Sequence, residues 1–277
     1  MKRYLQLTLQ ARSECWEQLI AELLEWGFEG FEEDEPLLRA YRPLKGPEMP
    51  DWQAIRAQLR RYDPDLELAW RVLEPEDWTA RWAASIEPIE VGPFLIRPSW
   101  KAVPLPPGRI ELLIDPKMAF GTGYHESTRL ALRALARWVQ PGVRLLDVGT
   151  GTGILAIAAL KLGASRALAI DVDEWAFTNT AENAALNGLE DRLEVRLGSL
   201  EVVPERDFGL VVANLTRELI RELLPALRER MAPGAVMIWS GLLLSDGPML
   251  EGEIARYGLS LLERPTEGEW MAWVLCG

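Results

Sequence analysis

The chain has 277 residues, 48% of them hydrophobic, and a formal net charge of -12 at neutral pH. That length holds one large domain or two, the apolar content is ample for buried cores, and the acidic balance excludes a protein that grips nucleic acid mainly through phosphate contacts while suiting a basic partner. No basic leader precedes an apolar stretch at the N-terminus and no run approaches the ~18 apolar residues of a membrane span, so a soluble, cytoplasmic protein is expected. Cys15 and Cys276 stand at opposite ends with no Cys-x-x-Cys or Cys/His cluster, which indicates neither a disulfide framework nor a metal site.

In chain order, residues 4–10 alternate as a strand, 13–26 read as an amphipathic helix ended by Gly27, and 28–33 and 37–42 read as two strands. A helix over 51–62 and a strand over 66–72 follow. Strand, helix, strand, strand, helix, strand is the split ferredoxin-like α+β motif. It contains no concentration of catalytic residue types, so residues 1–74 are expected to form a domain that recognises the substrate. Residues 75–88 read as a linker helix, with Pro75 in its first turn, Glu76 and Asp77 at the positive end of its dipole, and Trp78 and Trp82 on one face.

The remainder, residues 89–277, is expected to carry the chemistry. A hairpin-like pair, 92–100 and 109–114, flanks a proline-rich loop and leads to DPKMAFGTGYHEST, residues 115–128. This segment holds Phe120, Gly121, Thr122, Gly123 and the only histidine, His125, and its Ser127 and Thr128 open a helical pattern. Such a loop suits a cover over a ligand. Next comes LLDVGTGTGILAIAALKLG, residues 145–163, which reads as a buried strand, a turn paved by Gly149, Gly151 and Gly153, and a helix whose N-terminal N–H groups face a ligand. A dinucleotide fingerprint needs its third glycine at position 154, which is Ile154. Asp147, two residues before the turn, would repel a pyrophosphate but can orient an ammonium or the turn's own N–H groups. Asp171 ends the next strand 22 residues past Gly149, the distance at which an acidic residue meets ribose hydroxyls. Helices and strands then alternate to the C-terminus, which predicts a mostly parallel α/β sheet covered on both faces. The last two strands lack a helix between them, so an antiparallel edge strand is expected there.

These features resemble the Rossmann-like S-adenosylmethionine-dependent methyltransferases. The loop at 115–128 is similar to the Asp-Pro-Gly-x-Ala-Phe-Gly-Thr-Gly-x-His-x-Thr-Thr signature of the family that modifies ribosomal protein eleven of the large subunit. The similarity runs through nearly the whole chain, including the Asn214–Leu215 pair after the fourth strand of the large domain. It implies that S-adenosyl-L-methionine is the cofactor, that Thr128, Gly149, Asp171 and Asn214 contact it, and that Phe120 to Gly123 cover it, beside Asp147, Gly151 and Gly153 of the turn. It further implies that the substrate is ribosomal protein eleven, methylated at its N-terminal α-amine and on lysine side chains. Asn214 and the backbone carbonyl of Leu215 would accept N–H bonds from that amine and aim its lone pair without acting as bases. His125 is read as a helix cap or loop brace in preference to a base. Lys117 stands where the family has glycine, and would be strained if that position needs positive φ; Ser127 and Thr216 also depart from the family's pattern.

Other readings stay open at this stage. A methyltransferase acting on another protein or on a small molecule would share the cofactor half. One that modifies glutamine would carry Asn-Pro-Pro-Tyr where this chain has Asn214, Leu215, Thr216 and Arg217. From a different class, a nucleotide-dependent oxidoreductase or a nucleotide sensor would share the glycine turn.

Overall fold

The structure, a computed structural model, describes residues 3–44, 49–73, 86–117 and 119–277. The linker helix expected over 75–88, with Trp78 and Trp82, lies outside these except for residues 86–88. The chain divides into two compact units, Met1–Ser85 and Ile86–Gly277.

The first unit runs β1 (Arg3–Gln10), α1 (Trp16–Glu25), β2 (Gly30–Asp34), β3 (Leu37–Leu44), α2 (Trp52–Leu59) and β4 (Glu67–Leu73). The strands form an antiparallel sheet in the order β2-β3-β1-β4, the split ferredoxin-like arrangement. Alternation on β1 sends Leu5, Leu7 and Leu9 into a core shared with Leu19 and Leu23 of α1 and Ile55 and Leu59 of α2. Asp51 starts α2 by accepting the amides of Gln53 and Ala54 at 3.0 and 3.1 Å. Boundaries differ from expectation: the helix read over 51–62 spans Trp52–Leu59, and two element starts shift. Residues 13–15 wind as a 3-10 turn before α1, and β2 begins only at Gly30 because the Phe28 amide turns back to Leu23 O at 3.0 Å to close that helix.

The second unit opens with β5 (Ile89–Val91), β6 (Phe94–Arg97) and β7 (Ile110–Leu113). The hairpin expected between the latter two is corrected here. β5 and β6 form the hairpin about Gly92 and Pro93, whereas β6 and β7 run parallel, joined by the long proline-rich loop that a parallel crossover requires. Then follow α3 (Glu126–Trp138), β8 (Arg144–Val148), α4 (Ile154–Lys161), β9 (Arg166–Asp171), α5 (Glu174–Leu186), β10 (Leu193–Leu197), β11 (Phe208–Asn214), α6 (Arg217–Arg228), β12 (Met231–Leu243), α7 (Gly247–Arg256), β13 (Ser260–Glu263), β14 (Thr266–Glu267) and β15 (Trp270–Cys276).

The large sheet has the order β10-β9-β8-β11-β12-β15-β13, parallel through β12. The C-terminal strand is antiparallel, as expected, and lies one place in from the edge, between β12 and β13. Alternate residues feed two cores: Leu145, Ala167 and Val212 pack with α3 and α4 on one face, and Leu146, Leu168 and Val211 with α6 and α7 on the other. Ile154 through Leu160 of α4 are buried all round, so this helix is wedged within the domain. Its N-terminus, the glycine turn, is thereby held rigidly at the carboxyl ends of the parallel strands. Among the described residues, no helix is long and apolar enough to cross a membrane.

Candidate active site

The glycine turn leaves β8 with φ of 72°, 58° and 81° at Gly149, Gly151 and Gly153. A Cβ at Gly151 would collide with the carbonyl oxygen of Phe120, and one at Gly149 with the Leu215 side chain. The bend is therefore glycine-rich because other parts of the chain press on it. Its amides are also committed. Gly149 and Thr150 donate to Ile170 O at 2.9 and 3.1 Å, Thr152 to Phe120 O at 2.9 Å, and Gly153 to Thr150 O at 2.9 Å. Gly151 donates to Asp171 Oδ2 at 2.9 Å. The expectation that this bend offers its N–H groups to a ligand is corrected: carbonyls and a carboxylate of the protein already take them, so the turn is a poor nest for a phosphate.

Asp147 lies behind the turn and is fully buried. Its Oδ2 accepts the Thr150 hydroxyl at 2.8 Å and the Ala156 amide at 3.2 Å, while Oδ1 has no hydrogen-bond partner among the described residues. Burial pushes its carboxyl up to about 7, and the nearby charge of Asp171 acts in the same direction.

A cleft of about 520 Å³ opens at the carboxyl ends of β8, β9, β10 and β11. Among the residues singled out in the sequence, Phe120, His125, Ser127, Gly149, Gly151, Asp171, Asn214, Leu215 and Thr216 line it. The others support those that do. Gly121 O accepts the Thr152 hydroxyl at 2.6 Å, which staples the loop to the turn. Thr122 Oγ1 accepts the Tyr124 amide at 3.3 Å, Gly123 lies against Ile96, and Gly153 caps α4 beside Thr180. Thr128 is 1% exposed and its hydroxyl accepts Asn214 Nδ2 at 3.3 Å, so it braces Asn214 from behind. His125 sits at the N-cap of α3, where Nδ1 accepts the Ser127 amide at 3.2 Å, and its ring meets Phe120 and Trp270 edge-on. A ring nitrogen engaged in capping carries its lone pair there, away from any substrate proton.

Sequence reasoning passed over Val172, Ser199 and Trp270, which also line the cleft. Ser199 follows β10, and the rule that ligands gather beyond strand carboxyl ends would have found it. Trp270 arrives because an antiparallel strand starts where its parallel neighbours finish, a position that needs the strand order to be seen. The Lys117 backbone has φ 42°, so the residue that replaces the family's glycine does sit in the left-handed region.

Residues 4–276 match the profile of the Ribosomal protein L11 methyltransferase (PrmA) family. The chain belongs to this family. A ribosomal protein L11 methyltransferase of Porphyromonas gingivalis is 38% identical over 96% of this chain and 91% of its own length. One of Thermus thermophilus is 42% identical over 76% and 81% respectively. The crystal structure of a ribosomal protein L11 methylase from Lactobacillus delbrueckii subsp. bulgaricus, 33% identical, superposes with a TM-score of 0.64 over 69% of this chain and 98% of that one. The methyltransferase described here thus has its family's Rossmann-like sheet, and the cleft at the strand ends is where its transfer chemistry is to be sought.

Proposed function

We propose that this enzyme transfers methyl groups from S-adenosyl-L-methionine to amino groups of ribosomal protein L11 in the cytoplasm, at the N-terminal α-amine and at lysine side chains. The observation that carries the reading is that Asn214 and Leu215, at the tip of β11, share one cleft with Asp171. The residues present fit the cofactor. The cleft has the size of a site for a nucleoside-sized ligand. Asp171 presents acceptors for ribose hydroxyls: Oδ2 takes the Gly151 amide and Oδ1 the Asp173 amide at 3.1 Å, and each oxygen keeps a further lone pair. A turn whose amides are engaged, next to Asp171, suits a cationic ligand and opposes the pyrophosphate of a dinucleotide.

When bound, the cofactor supplies an electrophilic methyl group on a sulfonium. The chain's part is to hold the amine in line with it. Asn214 commits Nδ2 to Thr128, which leaves its Oδ1 as acceptor, and the Leu215 carbonyl is a second. Two acceptors on the amine's N–H groups point its lone pair at the methyl carbon. The amine must be neutral to react, and a lysine, with pKa near ~10.4, needs more help than an α-amine near ~7.7–8.0. Phe120, Leu215, Leu219 and Trp270 surround it with apolar wall, which disfavours the ammonium. Target choice is assigned to residues 1–74, whose own core supports a separate docking body.

Incubation of the purified protein with methyl-labelled cofactor and an extract of ribosomal proteins, free and as assembled subunits, tests this. Label is expected on L11, at its first residue and at lysines. Label on a different protein or on small molecules would replace L11 as the substrate.

A further inference from the structure

We propose that Asp147 lets the cleft tell the cationic cofactor from its uncharged-sulfur product: Asp147 keeps a proton in the ligand-free and product-bound enzyme and releases it to solvent when a sulfonium binds. The proposal rests on the cofactor reading above and adds a proton to it.

Two carboxyl groups serve one wall of the cleft under opposite conditions. Asp171 lines the cleft and accepts two backbone amides. Asp147 is wholly buried behind the turn and has donors on one oxygen only. The elements packed against it contribute Ala169 of β9 and Val212 of β11 at its register positions, Thr150 of the turn and Ala156 of α4. Asp171 is the charged group that acts on it, and both effects, burial and a like charge, hold the proton on Asp147 to about 7. Oδ1, without a partner among the described residues, is the seat of that proton, because an anionic oxygen there would be buried with no donor.

A ligand carrying one more positive charge in the cleft that Asp171 lines favours two ionised carboxylates over one, so its binding expels the proton. S-adenosyl-L-homocysteine keeps the ammonium and carboxylate but lacks the sulfonium charge, and expels less. By linkage, affinity for the cofactor relative to the product rises with pH through neutrality, by no more than about tenfold per pH unit for one proton. Below pH ~7 the α-amines of both ligands stay largely protonated, so they cancel from the ratio there. Product release is thus favoured by the charge lost in the reaction itself.

The test is calorimetric titration of the full-length protein with S-adenosyl-L-methionine and with S-adenosyl-L-homocysteine from about pH 5.5 to about pH 7, in pairs of buffers of different ionisation enthalpy, for wild type and Asp147→Asn. The expected result is a cofactor-to-product affinity ratio that rises about fivefold or more in wild type, proton release on cofactor binding below neutrality, and a flat ratio in the variant. A flat ratio in wild type, or a pH-dependent ratio that survives in Asp147→Asn and so belongs to another group, overturns the proposal. The wild-type buffer pair decides the matter if the variant does not fold. Failure of both ligands to bind at any pH overturns the cofactor assignment itself, an outcome distinct from a flat ratio.

Discussion

Gly151 donates its amide to Asp171 Oδ2 at 2.9 Å, so the residue assigned to the ribose also fastens the turn beneath it. Asp171→Ala should then do two things. Cofactor affinity is expected to fall by about 100-fold or more, and stability by about 1–3 kcal/mol, because a backbone donor loses a charged acceptor. Asp171→Asn keeps one acceptor oxygen and should lose less of each. Titration calorimetry and thermal melts read both quantities; undiminished affinity in the alanine variant would remove Asp171 from the site.

His125 caps α3 through Nδ1 and stands between Phe120 and Trp270. His125→Ala is expected to cost about 1 kcal/mol of stability and His125→Ser to restore it, since serine supplies the same capping acceptor. Turnover at saturating cofactor should fall less than ~10-fold. A loss of ~100-fold or more with cofactor affinity intact would make the ring a base after all.

Asp147 links stability to pH. Its folded-state carboxyl is raised to about 7, above its value of ~3.9 in an unfolded chain, so the unfolded state loses the proton first. Stability is fully present below pH ~4 and declines as pH rises through about 7, by at most about 4 kcal/mol. Asp147→Asn removes that burden, and the ligand-free variant should gain on wild type as the pH is raised from ~4 to ~8. Chemical denaturation across that range checks it, and parallel curves for the two proteins would show that Asp147 does not titrate in this way.

Lys117, at φ 42°, pairs its ammonium with Glu182 on the surface. Lys117→Gly and Lys117→Ala both lose the pair, so their difference isolates the backbone. The glycine variant should be the more stable by about 1 kcal/mol, because alanine retains the Cβ that the left-handed region disfavours. Equal stabilities would mean that the loop relaxes to another conformation.

The two units bury separate cores, Leu5 to Leu66 in one and Val91 to Leu275 in the other. Removal of residues 1–85 should leave cofactor binding within about threefold of the full chain and abolish methylation of L11. A shortened enzyme that labels L11 at the full rate would return target choice to the large unit.

Periodicity and punctuation determined a good deal by themselves. The alternating leucines of β1 and the glycine after α1 define the ferredoxin-like order, and Asp171 and Asn214 could be placed at strand tips, because face and element end are local properties written within a few residues. Partnership between distant segments was decided only by the tertiary structure. No local pattern states that β6 pairs in parallel with β7, that β15 slips inside β13 and carries Trp270 to the cleft, or that Phe120, thirty-odd residues upstream, takes the amide of Thr152. A strand's period is the same whichever neighbour it finds, and a turn's amides look free until the loop that satisfies them is folded against them.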